Sequence, residues 1–364
     1  MPDLLRSPLA DHHLSHGATL AEYHGALVPA RFSDPVAEHH AVREVAGIFD
    51  FSFRAKIAAK GADRASFLHN MLSNDIKSLT PGRGAYAVLL DLKGHIVADA
   101  RVYSADDLFF LDTDADLRDK LTKTLERYIV MDDVALEPLE LCTVSFQGPR
   151  ARALVEETLG TALPALSEFD HFPARGPEHP ARVVRATSTG EDGYEVWAEP
   201  NDLRSLWETA SAKALASGAL ACGAEAFESL RIEGGIPHYG ADFGEDTLPL
   251  EAGLLDALSF TKGCYLGQEI VERARSRGHV NWKLVGLFVE ASAPPAPGEK
   301  LFSTGRELGE VTSSCFSPTL GKTLALAYVR REVSEPGTEF TLGSDRRARV
   351  APFPFYSRSK TGSP

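Results

Sequence analysis

The segment KGCYLGQE, which spans Lys262 to Glu269, carries an ammonium, a thiol, a phenol, an amide and a carboxylate within eight residues. The ammonium, together with the basic run RARSRG at residues 273–278, favours the thiolate form of Cys264. A thiolate binds soft metals or exchanges with disulfides. The two glycines of the segment allow a sharp bend, so we expect Lys262 and Cys264 to face one cavity. The plainer alternative is that Cys264 is a small buried residue in a tight turn.

A second group of reactive side chains lies in GAYAVLLDLKGHIVADARVYSADDLFFLDT, residues 84–113, which has the alternation of three strands. If Lys93-Gly94 is a two-residue hairpin loop, Tyr86 pairs with Arg101 across the hairpin. Asp99 lies two residues before Arg101 and therefore shares its face of the sheet. The spacing therefore predicts that the Asp99 carboxylate, the Arg101 guanidinium and the Tyr86 phenol lie side by side.

Asp99 stands in the middle of a strand, where aspartate is uncommon. One interpretation is a solvated outer face with an Asp99–Arg101 ion pair. The other is a carboxylate held between Tyr86 and Tyr103 in a ligand cavity, where the rings offer stacking surface and burial raises the pKa of Asp99. The pattern alone leaves both open.

Two further charged residues are candidates for a site. Glu195 follows the turn in TGEDGYEVW, on a segment that alternates as a strand, and Arg231 lies in a helix that ends in LRIEGG. Most residues of these types at such positions are rim carboxylates or helix-terminal ion pairs. Their pattern alone therefore assigns them no function.

The elements around these residues indicate an α+β body followed by a β-rich domain. Helices are predicted over the Leu117–Tyr128 stripe and over Ala224–Glu233, which stops at a pair of glycines. The stretches at residues 173–182 and 291–300 are predicted to be loops. We predict a region 1–282 with two interleaved subdomains, one covering about 52–139, and a β-barrel domain over 283–364.

Composition excludes several classes of protein. The 364 residues carry a net charge of -13, which argues against direct nucleic-acid binding or an anionic membrane partner. No apolar run approaches the length of a membrane span, and the first residues lack the pattern of a signal peptide. The four cysteines are far apart in sequence, which favours a reducing cytoplasm.

The residues around Cys264 resemble a known family. Lys262, Cys264, Gln268 and Glu269 fit the hallmark K-G-C-[FY]-x-G-Q-E of the YgfZ family of folate-binding proteins, with Leu266 as a minor departure. The resemblance implies a protein that binds folate and supports iron–sulfur enzymes or their assembly factors, including enzymes that modify tRNA. One thiol cannot hold a cluster by itself, so no resident cluster is expected.

Nearly the whole chain resembles the wider superfamily of the glycine-cleavage T-protein, an aminomethyltransferase that uses tetrahydrofolate. The segments FQGPRA, TGEDGYEV and CFSPTLGKTLALAYV carry this similarity. It implies an α+β fold of three domains, arranged like a clover leaf around a central folate cavity, with a C-terminal β-barrel.

The same resemblance implies roles for the candidate residues. Asp99 matches the acid beside the reactive nitrogens of folate, and Tyr86 and Tyr103 match aromatic residues of the pocket. Glu195 matches the carboxylate that holds the pterin edge, where two adjacent N–H groups suit one carboxylate. Arg231 matches a pocket arginine, a residue type that clamps carboxylates such as those of a folate tail.

Three departures from the T-protein pattern favour the YgfZ-type branch. Ser188 stands where the T-protein motif GYTGE has its tyrosine. Ala98 stands before Asp99 where the T-protein has a second acidic residue. The T-protein also lacks the motif KGCYxGQE. The main prediction is therefore a folate-binding accessory protein in which Asp99, Cys264 and Lys262 act on the bound molecule. The alternatives are a tetrahydrofolate-dependent aminomethyltransferase and a module that only binds folate.

No metal site is predicted. The histidine pairs His12/His16 and His39/His40 lack a third ligand at a suitable spacing. LGKT at residues 320–323 lacks the first glycine of a phosphate-binding loop.

Overall fold

The computed structural model describes residues 4–176, 179–276, 280–343 and 346–358. Within them the chain forms a three-stranded sheet, a five-stranded sheet, a six-stranded sheet and a closed six-stranded barrel. Among these residues, none of the helices combines the length and the apolar character needed to cross a membrane.

The five-stranded antiparallel sheet carries the predicted hairpin. Its order is β6-β7-β8-β5-β9. The strands are β5 (Arg54–Lys60), β6 (Gly84–Leu90), β7 (Ile96–Ser104), β8 (Phe109–Asp114) and β9 (Ala135–Leu139), with helices α3 (Arg64–Met71) and α4 (Ala115–Glu126).

The predicted pairing across this hairpin is confirmed. Tyr86 pairs with Arg101, and Val88 pairs with Asp99. The loop is longer than predicted, because the Asp91 amide donates to the His95 carbonyl and a bulge follows. The bulge absorbs the extra loop residue, so the register further along the hairpin is the predicted one.

The six-stranded sheet, of order β11-β12-β13-β10-β4-β14, forms the second lobe of the body. Its elements are β4 (Gly47–Asp50), β10 (Cys142–Gln147), β11 (His171–Arg175), β12 (Pro180–Arg185), β13 (Gly193–Ala198), β14 (Leu220–Ala221), α5 (Ala151–Leu159) and α6 (Pro200–Ser217).

The prediction of a loop over residues 173–182 is wrong, because β11 and β12 form an edge hairpin there. The loop was predicted because of Pro173 and Pro180. Proline is tolerated on an edge strand and at the first residue of a strand, which are the positions of these two residues.

The remaining elements of the body connect the two lobes. They are β1 (Leu5–Arg6), α1 (Ala10–Ser15), β2 (Thr19–Tyr23), β3 (Ala26–Arg31), α2 (Pro35–Glu44), α7 (Ala224–Glu233) and α8 (Gln268–Ser276), with a 3-10 turn at Leu255–Ala257. The prediction of α7 is confirmed, and α4 buries Leu117, Leu121 and Leu125 as predicted but ends before Tyr128.

The C-terminal barrel closes in the order β15-β18-β17-β16-β19-β20, which confirms the predicted fold class. Its strands are β15 (Trp282–Glu290), β16 (Lys300–Ser303), β17 (Arg306–Ser317), β18 (Lys322–Arg330), β19 (Glu339–Leu342) and β20 (Arg346–Ala351), with a 3-10 turn at Arg331–Val333. Each described barrel strand is therefore paired on both sides.

The segment after the barrel returns to the body. The Tyr356 amide donates to the Glu233 carbonyl at 2.9 Å, and the Arg43 guanidinium lies 4.0 Å from the centre of the Tyr356 ring. Arg358 adds an ion pair to buried Glu191 at 3.1 Å. This terminal segment thereby joins the barrel to α2 and α7.

Candidate active site

A cavity of about 780 Å³ of empty space lies between the five-stranded sheet and α7. That volume includes solvent at the open mouth of the cavity. The polar residues of its lining that matter below are Arg54, Tyr86, Asp99, Arg101, Arg231 and His238.

Asp99 lies on β7 with its carboxylate in the cavity wall. Its Oδ2 accepts a hydrogen bond of 2.9 Å from the Tyr86 hydroxyl, and its Oδ1 is buried with no partner among the described residues. Burial raises the pKa of Asp99, and the nearby charge of Asp114 raises it further. The site therefore holds a carboxylate with one acceptor atom left for a ligand.

The two tyrosines predicted to flank Asp99 have different surroundings. Tyr86 lines the cavity, and burial followed by the charge of Asp99 raises its pKa well above the usual range, so it remains a donor. Tyr103 shares that face of the sheet but is fully buried against Trp197, with ring centres 5.1 Å apart. Tyr103 is not among the lining residues.

Glu195 is fully buried on β13. Its Oε1 lies 2.6 Å from Nη1 of Arg101, and its Oε2 accepts a bond of 3.2 Å from Nε1 of Trp197. Arg101, not Glu195, lines the cavity. The arginine also donates to Ser188. Arg101 therefore pairs with Glu195 across the two lobes, and not with Asp99 as one of the two open interpretations had it.

Arg231 lines the cavity but uses all five of its N–H donors within the protein. It donates to both carboxylate oxygens of Glu228 at 2.7 Å, to Asp242 at 2.7 Å, to the Ile236 carbonyl and to Ser313 on the barrel. The charges of Glu228 and Asp242 outweigh burial and raise its pKa. These contacts connect α7 to the barrel, which is a structural role, and they leave no N–H donor of Arg231 for the carboxylates of a folate tail.

Phenylalanines supply aromatic surface in the cavity. Ser188 stands where the T-protein pattern has a tyrosine, and the cavity lining instead contains four phenylalanine rings: Phe51, Phe53, Phe169 and Phe227. Phe169 has a φ of 63°, a left-handed conformation that a bulky residue adopts only when its surroundings hold it. The cavity therefore offers flat apolar walls with a carboxylate between them.

Comparison with known proteins assigns the chain to a family. Residues 9–262 match the GCVT N-terminal domain, and residues 283–357 match the glycine cleavage T-protein C-terminal barrel domain. The chain belongs to the glycine cleavage T-protein family.

Full-length relatives of this T-protein family member are named aminomethyltransferase. It is 34% identical to one from Geobacillus sp., over 98% of this chain and all of that protein. It is 31% identical to one from Bacillus subtilis over the same shares. It also resembles the crystal structure of glycine cleavage system aminomethyltransferase T from Bartonella henselae, with 26% identity, a TM-score of 0.89 and coverage of 97% and 98%.

These findings confirm the T-protein fold and, at the level of the family, tetrahydrofolate as its cofactor. They support the predicted alternative, aminomethyl transfer, better than the main prediction. The narrower YgfZ-type assignment and the iron–sulfur partners find no support in them.

Lys262 of this T-protein family member lies outside the cavity lining. Its ammonium donates three hydrogen bonds, to the carbonyls of His69, Leu72 (2.6 Å) and Asn74 (2.8 Å). Burial lowers its pKa to about 8. The side chain thus caps the carboxyl end of α3, where helix carbonyls lack partners.

Cys264 is exposed and likewise lies outside the cavity lining. The arginines expected to act on it are engaged elsewhere, since Arg273 pairs with Glu269 at 2.6 Å and Arg275 with Glu272 at 3.6 Å. Arg277 lies outside the described residues. Neither Lys262 nor Cys264 thus lines the cavity that holds Asp99, and their action on a bound molecule stays a prediction.

Gly267 of the same motif packs closely against the β6–β7 turn. Its φ is 78°, and a Cβ there would lie 2.5 Å from the Asp91 carbonyl oxygen in the β6–β7 turn. Packing against the hairpin that bears Asp99 explains this glycine.

Sequence reasoning missed Arg54 and His238. Arg54 donates to Asp112 at 2.8 Å and to Asp114 at 2.6 Å, all in buried strands. The signal available was the pair of cations Arg54 and Lys56 at alternate positions of the strand segment FRAKIAAK, where charges are rarely buried unless paired. His238 contacts Asp114 across 124 residues of sequence, and no local pattern indicates that contact.

We expect Lys262→Met to lower the free energy of unfolding by about 2–4 kcal/mol, because three carbonyls at the end of α3 lose their donor. Urea denaturation measures the loss. Lys93→Met, at an exposed hairpin position, is the control and should change stability by under about 0.5 kcal/mol. Unchanged stability with lost activity would instead support the predicted catalytic role of Lys262.

Proposed function

We propose that the chain is a tetrahydrofolate-dependent aminomethyltransferase. The observation that carries the proposal is the Oδ1 of Asp99, which lies in an aromatic cavity with no hydrogen-bond partner in the described parts of the chain. The full-length similarity to proteins named aminomethyltransferase supports the same reaction.

The proposed reaction moves a one-carbon unit from a sulfur to a nitrogen of folate. An aminomethyl group leaves the thiol of a lipoyl carrier, ammonia is released, and tetrahydrofolate gains a methylene bridge. Phe51, Phe53 and Phe227 provide apolar walls against which a pterin can stack. Asp99 holds a negative charge beside the reacting nitrogens and accepts a proton there, within a cavity that strengthens electrostatic interactions.

An assay with an aminomethylated lipoyl carrier protein and tetrahydrofolate tests this function. We expect ammonia release coupled one to one with formation of methylene-tetrahydrofolate. If calorimetry detects tetrahydrofolate binding while ammonia release stays at the blank rate, the transferase proposal is wrong and a folate-binding module remains.

A second candidate function is the YgfZ-type support of iron–sulfur enzymes, and the exposure of Cys264 favours it. Burial raises the pKa of Cys142 and of Cys315 to about 12, and that of Cys222 also rises, so these three thiols stay protonated. Cys264, by contrast, is exposed in the KGCYLGQE motif. Of the four cysteines it is the most accessible to a partner protein.

Cys264→Ser separates the two functions. If the chain is a transferase, we expect the variant to keep ammonia release within about twofold, because Cys264 lies outside the cavity lining. If the chain supports iron–sulfur enzymes, cells that depend on it should lose the activity of those enzymes with Cys264→Ser but not with the control Cys142→Ser. Full cellular function of Cys264→Ser would remove the second candidate.

A further inference from the structure

Two histidines and an aspartate from distant parts of the chain meet at the cavity wall. His24 lies in the β2–β3 turn, Asp114 ends β8, and His238 follows α7. Nε2 of His238 is 2.8 Å from Oδ2 of Asp114, and Nδ1 of His24 is 3.7 Å from the same oxygen. One potential ligand atom from each residue lies within 4.8 Å of the other two.

His24 has a left-handed backbone conformation that is uncommon for histidine, which suggests a functional constraint at this position. His24 and Gly25 form the two-residue turn between β2 and β3, with φ values of 45° and 79°. Turns with two left-handed residues favour Asn-Gly or Gly-Gly. Here a histidine takes the first position and directs its ring toward Asp114 and Asp116, whose Oδ2 lies 3.8 Å from Nδ1.

The second ring nitrogen of His238 is fixed by a chain of hydrogen bonds. The Tyr23 hydroxyl donates to Glu228 at 2.5 Å, so its oxygen accepts from Nδ1 of His238 at 3.2 Å. Arg231 in turn holds Glu228. Histidines that bind metals are oriented in this way, by an outer partner on the nitrogen that does not face the ion.

Asp114 presents one oxygen to both histidines. Arg54 occupies Oδ1 at 2.6 Å, which leaves Oδ2 facing the two rings. Ligand atoms around a tetrahedral Zn²⁺ ion are about 3.3 Å apart, given bonds of about 2.0–2.2 Å. The observed separations of 2.8 Å and 3.7 Å lie on either side of this value.

We propose that His24, Asp114 and His238 bind a divalent transition-metal ion such as Zn²⁺. Two imidazoles and one carboxylate form a donor set suited to such ions and leave positions open to other ligands. His238 also lines the cavity, so the ion would lie at its border. The sequence pattern predicted no metal because the three residues are far apart along the chain.

Metal titration of the full chain, first stripped with a chelator, tests this site. The background carries His16→Ala and Cys264→Ser, which remove exposed groups that bind metals adventitiously. We expect one Zn²⁺ per chain by calorimetry, and a Co²⁺ absorption spectrum typical of nitrogen and oxygen ligands.

His24→Asn is the matched variant, because asparagine followed by glycine is the preferred sequence for this turn. We expect it to weaken Zn²⁺ binding at least tenfold without lowering the melting temperature. The rings of His24 and His238 stack with their centres 3.8 Å apart. Asp114→Asn, which leaves both rings in place, should likewise weaken Zn²⁺ binding at least tenfold. Absence of Zn²⁺ binding in the background protein, or equal binding in His24→Asn, would overturn the site and leave His238 as a hydrogen-bond partner of Asp114.

The metal inference is independent of the proposed reaction. Tetrahydrofolate binding and ammonia release, measured on the same chelator-treated protein, report on the transferase alone. A chain that transfers aminomethyl groups but binds no Zn²⁺ refutes only the metal site, and the opposite result refutes only the transferase.

Discussion

Asp99→Asn is expected to lower the rate of aminomethyl transfer by about 10²- to 10⁴-fold, the range typical of a lost acid–base group. Asparagine keeps the shape of the side chain and its contact with Tyr86. It removes the charge and the proton acceptor at Oδ1, the atom that no described residue occupies. Ammonia release under saturating tetrahydrofolate measures the effect.

The pH dependence of the wild-type rate provides an independent readout. The active form of Asp99 is the carboxylate, and burial raises its pKa. The rate should therefore fall on the acid side at a higher pH than an ordinary aspartate would give, and Asp99→Asn should abolish that limb.

Stability provides the control for this variant. Because the folded-state pKa lies above the unfolded-state value, charged Asp99 destabilises the fold at neutral pH, and this cost disappears as the pH falls below the unfolded-state value. Asp99→Asn should therefore be at least as stable as wild type at pH 7. A stable, well-folded variant with the wild-type rate would exclude Asp99 from catalysis.

Arg101→Met is expected to cost about 3–5 kcal/mol of unfolding free energy, since it leaves Glu195 charged, fully buried and without its cation. Lys56 and Arg54 lie nearby but are engaged with Asp112. Urea denaturation measures the loss. The variant should also weaken tetrahydrofolate binding, because Arg101 is part of the cavity lining.

A double variant separates these two effects. Arg101→Met combined with Glu195→Met replaces both charges by apolar groups and should recover part of the lost stability. Binding should remain weak, because the guanidinium is still missing. Glu195→Gln tests the predicted contact with the pterin edge: loss of calorimetric binding at wild-type stability would support that role, and wild-type binding would refute it.

The hairpin around Asp99 was predictable because it depends on local rules. Side chains alternate along a strand, and a turn fixes which residues face each other. Those two rules suffice to place Tyr86, Asp99 and Arg101 together, as the register confirms. The loop length was mispredicted, since a bulge gives no signal in the pattern LLDLKG.

The rest of the site depends on contacts between distant segments. No local pattern indicates that Lys262 caps α3, that Arg231 spends its donors on Glu228 and Asp242, or that Arg101 selects Glu195. In each case a buried charge takes the partner that the packed fold brings within reach. A motif of unusual composition, such as KGCYLGQE, therefore predicts its own conformation better than its position relative to a cavity.

The segment that follows the barrel also constrains how the chain is assembled during synthesis. Tyr356 and Arg358 contact a buried charge cluster in the body, which includes Arg43, Glu191 and Glu233. Domains generally fold in order as they emerge from the ribosome. Here the body is synthesised first, but the contacts of Tyr356 and Arg358 with it form only after the barrel has been synthesised. The body of the nascent chain therefore lacks these contacts until translation has passed Arg358.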